Sequence, residues 1–299
     1  MEKKFSIFHI DGGIGKHIAA TAVARAIKNN HPDRELIVVC AYPAVFINLD
    51  FVDRVYRQGN TPYFYQDYVF EKDSILFKHE PYFTTDHVHG NTSLIENWCN
   101  LYGLEYDGEK PQVEFNLPER QFAEMHWQSD KPILVLQTSG GMFNQENSVP
   151  YKWTRDMPIS VINTVVKEFS PNYNIFQVTR PNAYIPEGVV PITKEYSTNN
   201  LLTLLTKSSK RLLIDSMLQH GAAGLNLPST VLWIGTNPKV FGYDIHTNIV
   251  ANQKPEFNLP DSYLFNYSFD GISHECPYAD DSEIFNIDQI IDTLKRQGV

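Results

Sequence analysis

Short apolar runs alternate with stretches of helical period along most of this chain. Lys4 to Ile10 reads as a buried strand, Asp11-Gly12-Gly13-Ile14-Gly15 as a glycine turn, and Ile18 to Asn29 as a helix with Ala and Ile on one face. Glu35 to Cys40 is a second strand and Tyr42 to Asn48 a short apolar turn. Gln58 to His89 reads as a long aromatic loop. Thr92 to Tyr102 is helical, with Leu94, Ile95, Trp98, Leu101 and Tyr102 on one face and Gly103 as its stop. Pro111 to Pro118 predicts a strand and a turn. After a break at Ser129 to Pro132 the alternation restarts. Strands are predicted at 133–137, 173–179, 189–192, 211–214 and 230–234, and helices at 159–169, 199–206 and 218–225. Asn286 caps a last helix, Ile287 to Lys295, with Gln289 at the capping-box position.

Two successive strand–helix series predict two doubly wound, Rossmann-like α/β domains facing across a cleft. The division falls at residues 1–127 and 128–283, and residues 284–299 are expected to pack back on the first domain. Each half carries one loop of interest. Leu212 to Ile214 runs into Asp215-Ser216, whose side-chain oxygens suit a helix N-cap, and a small-residue helix with His220 and Gly221 to Ala223 follows. Such a strand–cap–helix unit offers N–H groups and a positive helix end to a phosphate. In the first half the glycine turn lets backbone approach a ligand or a partner domain closely. Neither familiar nucleotide motif is met. Ile10 stands where a P-loop needs its first glycine, and His17 replaces Ser/Thr; Ile18 replaces the third glycine of a dinucleotide fingerprint, and no acid ends the second strand near Cys40.

Composition narrows the class. With 299 residues, 42% of them hydrophobic, the chain is long enough for two real cores. A net charge of −10 opposes a protein dominated by nucleic-acid backbone contacts. Cys40, Cys99 and Cys276 are odd in number and widely spaced, which fits free thiols in a reducing compartment. The N-terminal apolar run is too short for a signal peptide or a membrane span, so a soluble, cytoplasmic protein is expected.

In the same order along nearly the whole chain, the motifs resemble glycosyltransferase family 9, the family of the heptosyltransferases that build lipopolysaccharide core. Ile14-Gly15-Lys16 leads to Ala24-Arg25-Ala26-Ile27; Asn48 to Val55 echoes an Asn-Pro-x-Val-Asp-x-Val stretch; Lys152-Trp153 matches a Lys-x-Trp element. Asp215-Ser216-Met217-Leu218-Gln219-His220-Gly221-Ala222-Ala223 follows the family's Asp-Ser/Thr-Gly-Pro-x-His-x-Ala-Ala, and Ile234 to Pro238 its Phe-Gly-Pro-Thr. The resemblance implies the GT-B fold, with a nucleotide-sugar held mainly by the second domain. Three departures stand out. Lys16 replaces the acid that the family is thought to use as base, Met217-Leu218 replaces Gly-Pro, and the loop from Ser139 to Lys152 is longer.

Sugar transfer needs a base, stabilisation of the departing diphosphate, and exclusion of water. The chain has no Asp-x-Asp, so a site without metal or other cofactor is expected. On the resemblance, Ser216, Met217, Gly140, Gly141 and Lys152 face the phosphates, against the alternative that Lys152 is a solvated surface lysine. Asp215 either meets sugar hydroxyls or only caps. His220 either orients the loop or is a core histidine. Thr179 and Arg180 border the nucleoside or form an ordinary loop. Gly12 and Gly13 belong to the donor site through close backbone approach, Lys16 supplies charge, and Asp11 or His17 takes the proton. Asp86, His87 and His89 fall in the segment expected to meet the acceptor; His87 and His89 have the spacing of metal ligands on a strand, but no third ligand stands beside them and a polar loop is the favoured reading. The reading is an inverting, metal-independent glycosyltransferase moving a hexose or heptose from an ADP- or UDP-sugar to a glycan or glycolipid. Its rivals are a transferase acting on a modified nucleic-acid base, favoured by a basic stripe of Lys16, Arg25, Arg54 and Arg57, and a degenerate protein that binds a nucleotide-sugar or glycan without turnover.

Overall fold

The computed structural model describes residues 3–140, 152–193, 196–252, 254 and 276–298. Two separate, wholly parallel sheets organise them. The first contains β1 (Lys4–Ile10), β2 (Glu35–Cys40), β3 (Arg54–Arg57) and β4 (Asp73–Phe77) in the order β3-β2-β1-β4. Its two central strands are apolar on both faces, as a sheet covered on both sides requires. α1 (Ile14–Asn30) covers one face, and Tyr68 of α2 (Phe64–Tyr68) closes the other over Phe5, Ile7, Ile37 and Val39. The stretch expected as a loop from Gln58 to His89 thus holds α2, β4 and α3 (Thr85–Val88). β4 hides from a pattern search because it is short and, as an edge strand, leaves Leu76 exposed. His87 lies on α3, not on a strand. α4 (Leu94–Leu101) is capped by the Ser93 hydroxyl, which accepts from Glu96 N.

α5 (Leu117–His126) leads into the second unit. There follow β5 (Ile133–Gln137), α6 (Ile159–Phe169), β6 (Asn174–Val178), β7 (Val190–Ile192), α7 (Thr198–Lys207), β8 (Ser208–Ile214), α8 (Met217–Gly224), β9 (Thr230–Trp233), α9 (Pro238–Phe241), β10 (Thr247–Val250) and α10 (Ile287–Arg296). The sheet order β7-β6-β5-β8-β9-β10 is doubly wound, reversing direction between β5 and β8. α1 packs directly on α8 and joins the two units. The connecting chain is seated between these helices: Gln112 N donates to Thr21 Oγ1 (2.8 Å) and Val113 N to Gly224 O (3.2 Å).

Three sequence expectations are corrected here. Residues 111–116 form no strand; Asn116 and Glu119 instead make a reciprocal capping box that starts α5. α5 and Trp127 pack on α7, with Trp127 Nε1 donating to Thr203 Oγ1 (2.9 Å), so residues 117–127 sit with the second unit rather than the first. The last helix also stays with the second unit: α10 lies on α6, β8 and β9, burying Ile290, Ile291 and Leu294 in that core. The buried Lys210 explains the anchorage, since its ammonium donates to the carbonyls of Leu294 and Gln297 (both 2.7 Å) at the helix's C-terminal end. Lys210→Met should therefore cost about 1–3 kcal/mol, the penalty for leaving such carbonyls without a donor. Urea unfolding would read the loss, and an unchanged midpoint would show that apolar packing alone holds α10.

Candidate functional site

In a doubly wound sheet the loops after the strands that flank the reversal of strand order leave a crevice between them. In the second unit these are the loops after β5 and β8, and they do meet. A Cβ placed on Gly140 would lie 3.6 Å from Ser216 Oγ. Ser216 stands at the N-cap of α8, yet its side chain makes no cap bond. Asp215 does not cap either. It is buried, with its Oδ2 accepting from Thr236 Oγ1 (2.6 Å) and lying 3.6 Å from the Arg155 guanidinium.

A buried frame fixes the β5 loop. Arg180 donates to Gly140 O (2.6 Å) and pairs with Asp156, while its own N–H donates to Ser139 Oγ (2.8 Å). Thr179 Oγ1 is 3.2 Å from the same Ser139 hydroxyl. Burial pushes the Asp156 carboxyl up, against the lowering pull of Arg180. Thr179 and Arg180, expected to border a nucleoside, are thus turned inward and hold the loop. Lys152 is exposed in a single 3-10 turn, Lys152–Thr154, beside that frame. Trp153 packs on the second core. Gly141 lies outside the described residues.

The first unit presents the start of α1. The helix begins at Ile14, earlier than expected, with Gly13 at its N-cap. Gly12 takes φ +97°, a left-handed backbone that favours glycine. Gly15 is where the units touch: a Cβ there would meet His220 Cδ2 at 2.9 Å and Met217 Cα at 3.5 Å. His220 is buried below this contact, with Nδ1 2.7 Å from the Tyr243 hydroxyl, and burial lowers its pKa to about 4 although Asp215 opposes the shift.

The expected base and charge residues are placed differently from the sequence reading. His17 is wholly buried; Nδ1 donates to Gly13 O (2.9 Å), Nε2 accepts from Ala41 N (3.2 Å), and burial brings the pKa to about 4. Both nitrogens are spent on backbone, so His17 pins the turn to β2 and is removed as a base. Lys16 does not reach out toward a diphosphate. Its side chain is largely buried, pairs with Glu80, and lies 5.2 Å from the Tyr82 ring centre and 5.4 Å from that of Trp98. A lysine in the first turn of a helix meets the positive dipole end, and Glu80 supplies the compensating charge. Asp11, half-buried at the end of β1, makes no side-chain hydrogen bond among the described residues. Asp86 bonds Asn91 Nδ2 (3.0 Å), and no group of three or more His, Cys, Asp or Glu among the described residues is gathered to hold a metal.

The basic stripe does not form. Arg25 lies 3.6 Å above the Phe51 ring with Asp50 and Gln112 as partners, and Lys16 is engaged with Glu80; Arg54 and Arg57 are exposed on the edge strand β3. Glu80, Arg155, Asp156, Thr236 and Tyr243 are the participants that the sequence reading missed. Only Thr236 lay inside a motif it had marked.

The sequence matches no protein-family model and no curated protein at a significant level. Solved structures do match. A glycosyl transferase of family 9 from Veillonella parvula superposes with a TM-score of 0.71 at 14% identity, over 99% of this chain and 97% of that one. The iron-containing dodecameric glycosyltransferase TibC of enterotoxigenic E. coli gives 0.67 at 13%, over 99% and 78%. E. coli ADP-heptose lps heptosyltransferase II gives 0.61 at 11%, over 88% and 97%. The chain has the GT-B fold. Within that fold, Ser216 and Gly140 stand on the second unit's side of the junction, and Gly12 to Lys16 with Glu80 on the first unit's side. No helix of the described residues is long and apolar enough to cross a membrane.

Proposed function

We propose that this chain is an inverting, metal-independent glycosyltransferase that moves a sugar from a nucleotide-sugar to a hydroxyl of a glycan or glycolipid. The observation that carries the reading is Ser216. At the strand-order reversal of the second sheet, its hydroxyl makes no cap bond, α8 opens behind it, and Gly140 leaves room beside it. A diphosphate suits that position, because the N–H groups of the first turn and the helix dipole both favour an anion. Lys152 adds a mobile positive charge from the rim. In the reaction the acceptor oxygen attacks the anomeric carbon opposite the diphosphate. The bond from that carbon to the diphosphate oxygen breaks, its electron pair leaves with the nucleotide, and the N–H groups at α8 take up the growing charge. The absence of Asp-x-Asp from the sequence supports a mechanism in which protein donors, not a metal, do this. The nucleotide is ADP or UDP and the sugar a hexose or heptose.

Ser216→Val tests the donor site. Loss of one hydroxyl to a charged group, plus crowding by a branched side chain, should weaken nucleotide-sugar binding by about tenfold to a hundredfold, equivalent to roughly 1.5–3 kcal/mol. Titration calorimetry with a panel of ADP- and UDP-sugars reads it, and turnover should survive EDTA. Unchanged affinity would move the phosphate site away from α8. Activity lost with EDTA and restored by a divalent ion would replace the metal-free mechanism, and donor binding without any turnover would favour a sugar-nucleotide sensor.

A further inference from the structure

We propose that Glu80 is the general base of the transfer, taking the acceptor's proton while Lys16 holds it in place. The proposal rests on the glycosyl-transfer reading above. Transfer to a hydroxyl frees one proton, and a carboxylate or imidazole has to stand where the acceptor meets the donor. On the first unit's side that place is the crevice after β1 and β4, where its own strand order reverses. The β1 side contributes Asp11, Lys16 and His17, and the β4 side Glu80. His17 has both nitrogens bonded to backbone. Lys16 is the cation of a pair.

Glu80 differs from both. Its side chain is 34% exposed while that of Lys16 is 8% exposed, so the carboxylate presents a free edge to solvent and the ammonium behind it does not. Lys16 is itself confined, by Gly12, whose Cβ position is 3.2 Å from Lys16 Cδ, and by the rings of Tyr82 and Trp98. Lys16 is also the chain neighbour of Gly15, which touches Met217 at the start of the donor helix. The pair therefore delivers a positioned acid to the junction from β4. In the step, the acceptor O–H proton passes to a Glu80 oxygen as the acceptor oxygen bonds to the anomeric carbon and the nucleoside diphosphate departs with the electron pair of the broken bond. Glu80 returns the proton to solvent after product release.

The test measures nucleoside diphosphate release from ADP- and UDP-linked hexoses and ADP-heptose, with water or a mixture of mono- and oligosaccharides as acceptor. Donor affinity is measured in parallel by calorimetry. Glu80→Gln should lower kcat by about a hundredfold or more and leave donor Kd within twofold. Lys16→Met with Glu80→Gln removes both charges at once, so no buried ammonium is left unpaired, and it should fold with turnover as low as that of Glu80→Gln. That double variant decides the matter if Glu80→Gln unfolds. Wild-type rates in Glu80→Gln, or in the double variant, would make the pair purely structural and overturn the proposal. Loss of turnover in Asp11→Asn with full activity in Glu80→Gln would overturn it in favour of Asp11. A wild-type protein that binds none of the nucleotide-sugars would instead bring down the glycosyl-transfer reading itself, and the proposal with it.

Discussion

Lowering the pH from 7 to 5 should remove most of this protein's stability. His17, His87 and His220 are buried and neutral, and burial holds each pKa at about 4, against 6.5 for an unhindered imidazole. A base whose folded pKa is depressed takes up its proton in the unfolded chain first. Stability is therefore complete above pH 6.5 and drains as pH falls toward 4. Each histidine costs about 1.4 kcal/mol per pH unit in that window, so the three together cost on the order of 6 kcal/mol at pH 5. A typical domain has about 5–15 kcal/mol in all. His9 and His246, also lowered by burial, act in the same direction. His87 isolates the effect. It lies between the edges of Tyr82 and Phe241, ring centres 5.0 and 5.6 Å away, with no hydrogen bond on either nitrogen among the described residues. His87→Leu should be at least as stable as wild type at pH 7 and retain roughly 2 kcal/mol more at pH 5. Urea unfolding at both pH values reads the difference; a variant with the wild-type acid slope would place the loss on other groups.

The fold was legible where periodicity is strong. α1, α4, α6, α7, α8 and the buried strands of both sheets stand in the sequence within a few residues of their place, because a two-sided apolar strand or a clear helical face leaves few alternatives. β3, β4 and β10 were not read, being short strands with exposed positions. α5 was hidden by Pro118, which reads as a breaker but sits in the first turn of the helix, where its missing N–H costs nothing. The placement of α10 draws on Lys210, 84 residues before the Leu294 carbonyl it meets, and no local pattern carries such a pairing.

The candidate site divides along the same line. Asp215, Ser216 and Gly140 could be marked because strand, cap and small residues are local signals. Their partners Thr236, Arg155 and Asp156 come from other loops. Lys16 and His17 misled for a shared reason: a polar side chain beside a glycine turn invites a catalytic role, whereas the fold encloses one with Glu80 and two rings and ties the other to backbone. Glu80 stood in a stretch with no readable period, and only the pairing of β4 with β1 brings it to the junction.

Arg180→Met should be the most damaging single substitution in the second unit. Arg180 is 6% exposed; its guanidinium holds the carbonyl of Gly140 and is the counter-ion of Asp156. Methionine matches much of the volume but leaves a carboxylate that is 22% exposed without its cation, a loss near the lower end of the roughly 3–5 kcal/mol that breaking a buried pair costs. The deficit has a predictable pH dependence. Burial already raises the Asp156 pKa, and without Arg180 only the Gly140 N–H and the Lys152 charge still oppose that rise. The folded variant then binds a proton at a pH where the unfolded chain, near 3.8, does not, so its stability relative to wild type improves as pH falls. Urea midpoints for both proteins at pH 8 and pH 6 should show the gap narrowing, and Arg180→Met with Asp156→Asn should recover a large part of it at pH 8. Function gives a second reading of the same frame. Once its carbonyl anchor is gone, Gly140 is no longer fixed beside Ser216, and nucleotide-sugar affinity should fall even at a temperature where the variant stays folded. A gap constant with pH, with no recovery in the double variant, would mean that Arg180 acts by filling space and that the charge pair is incidental to the loop.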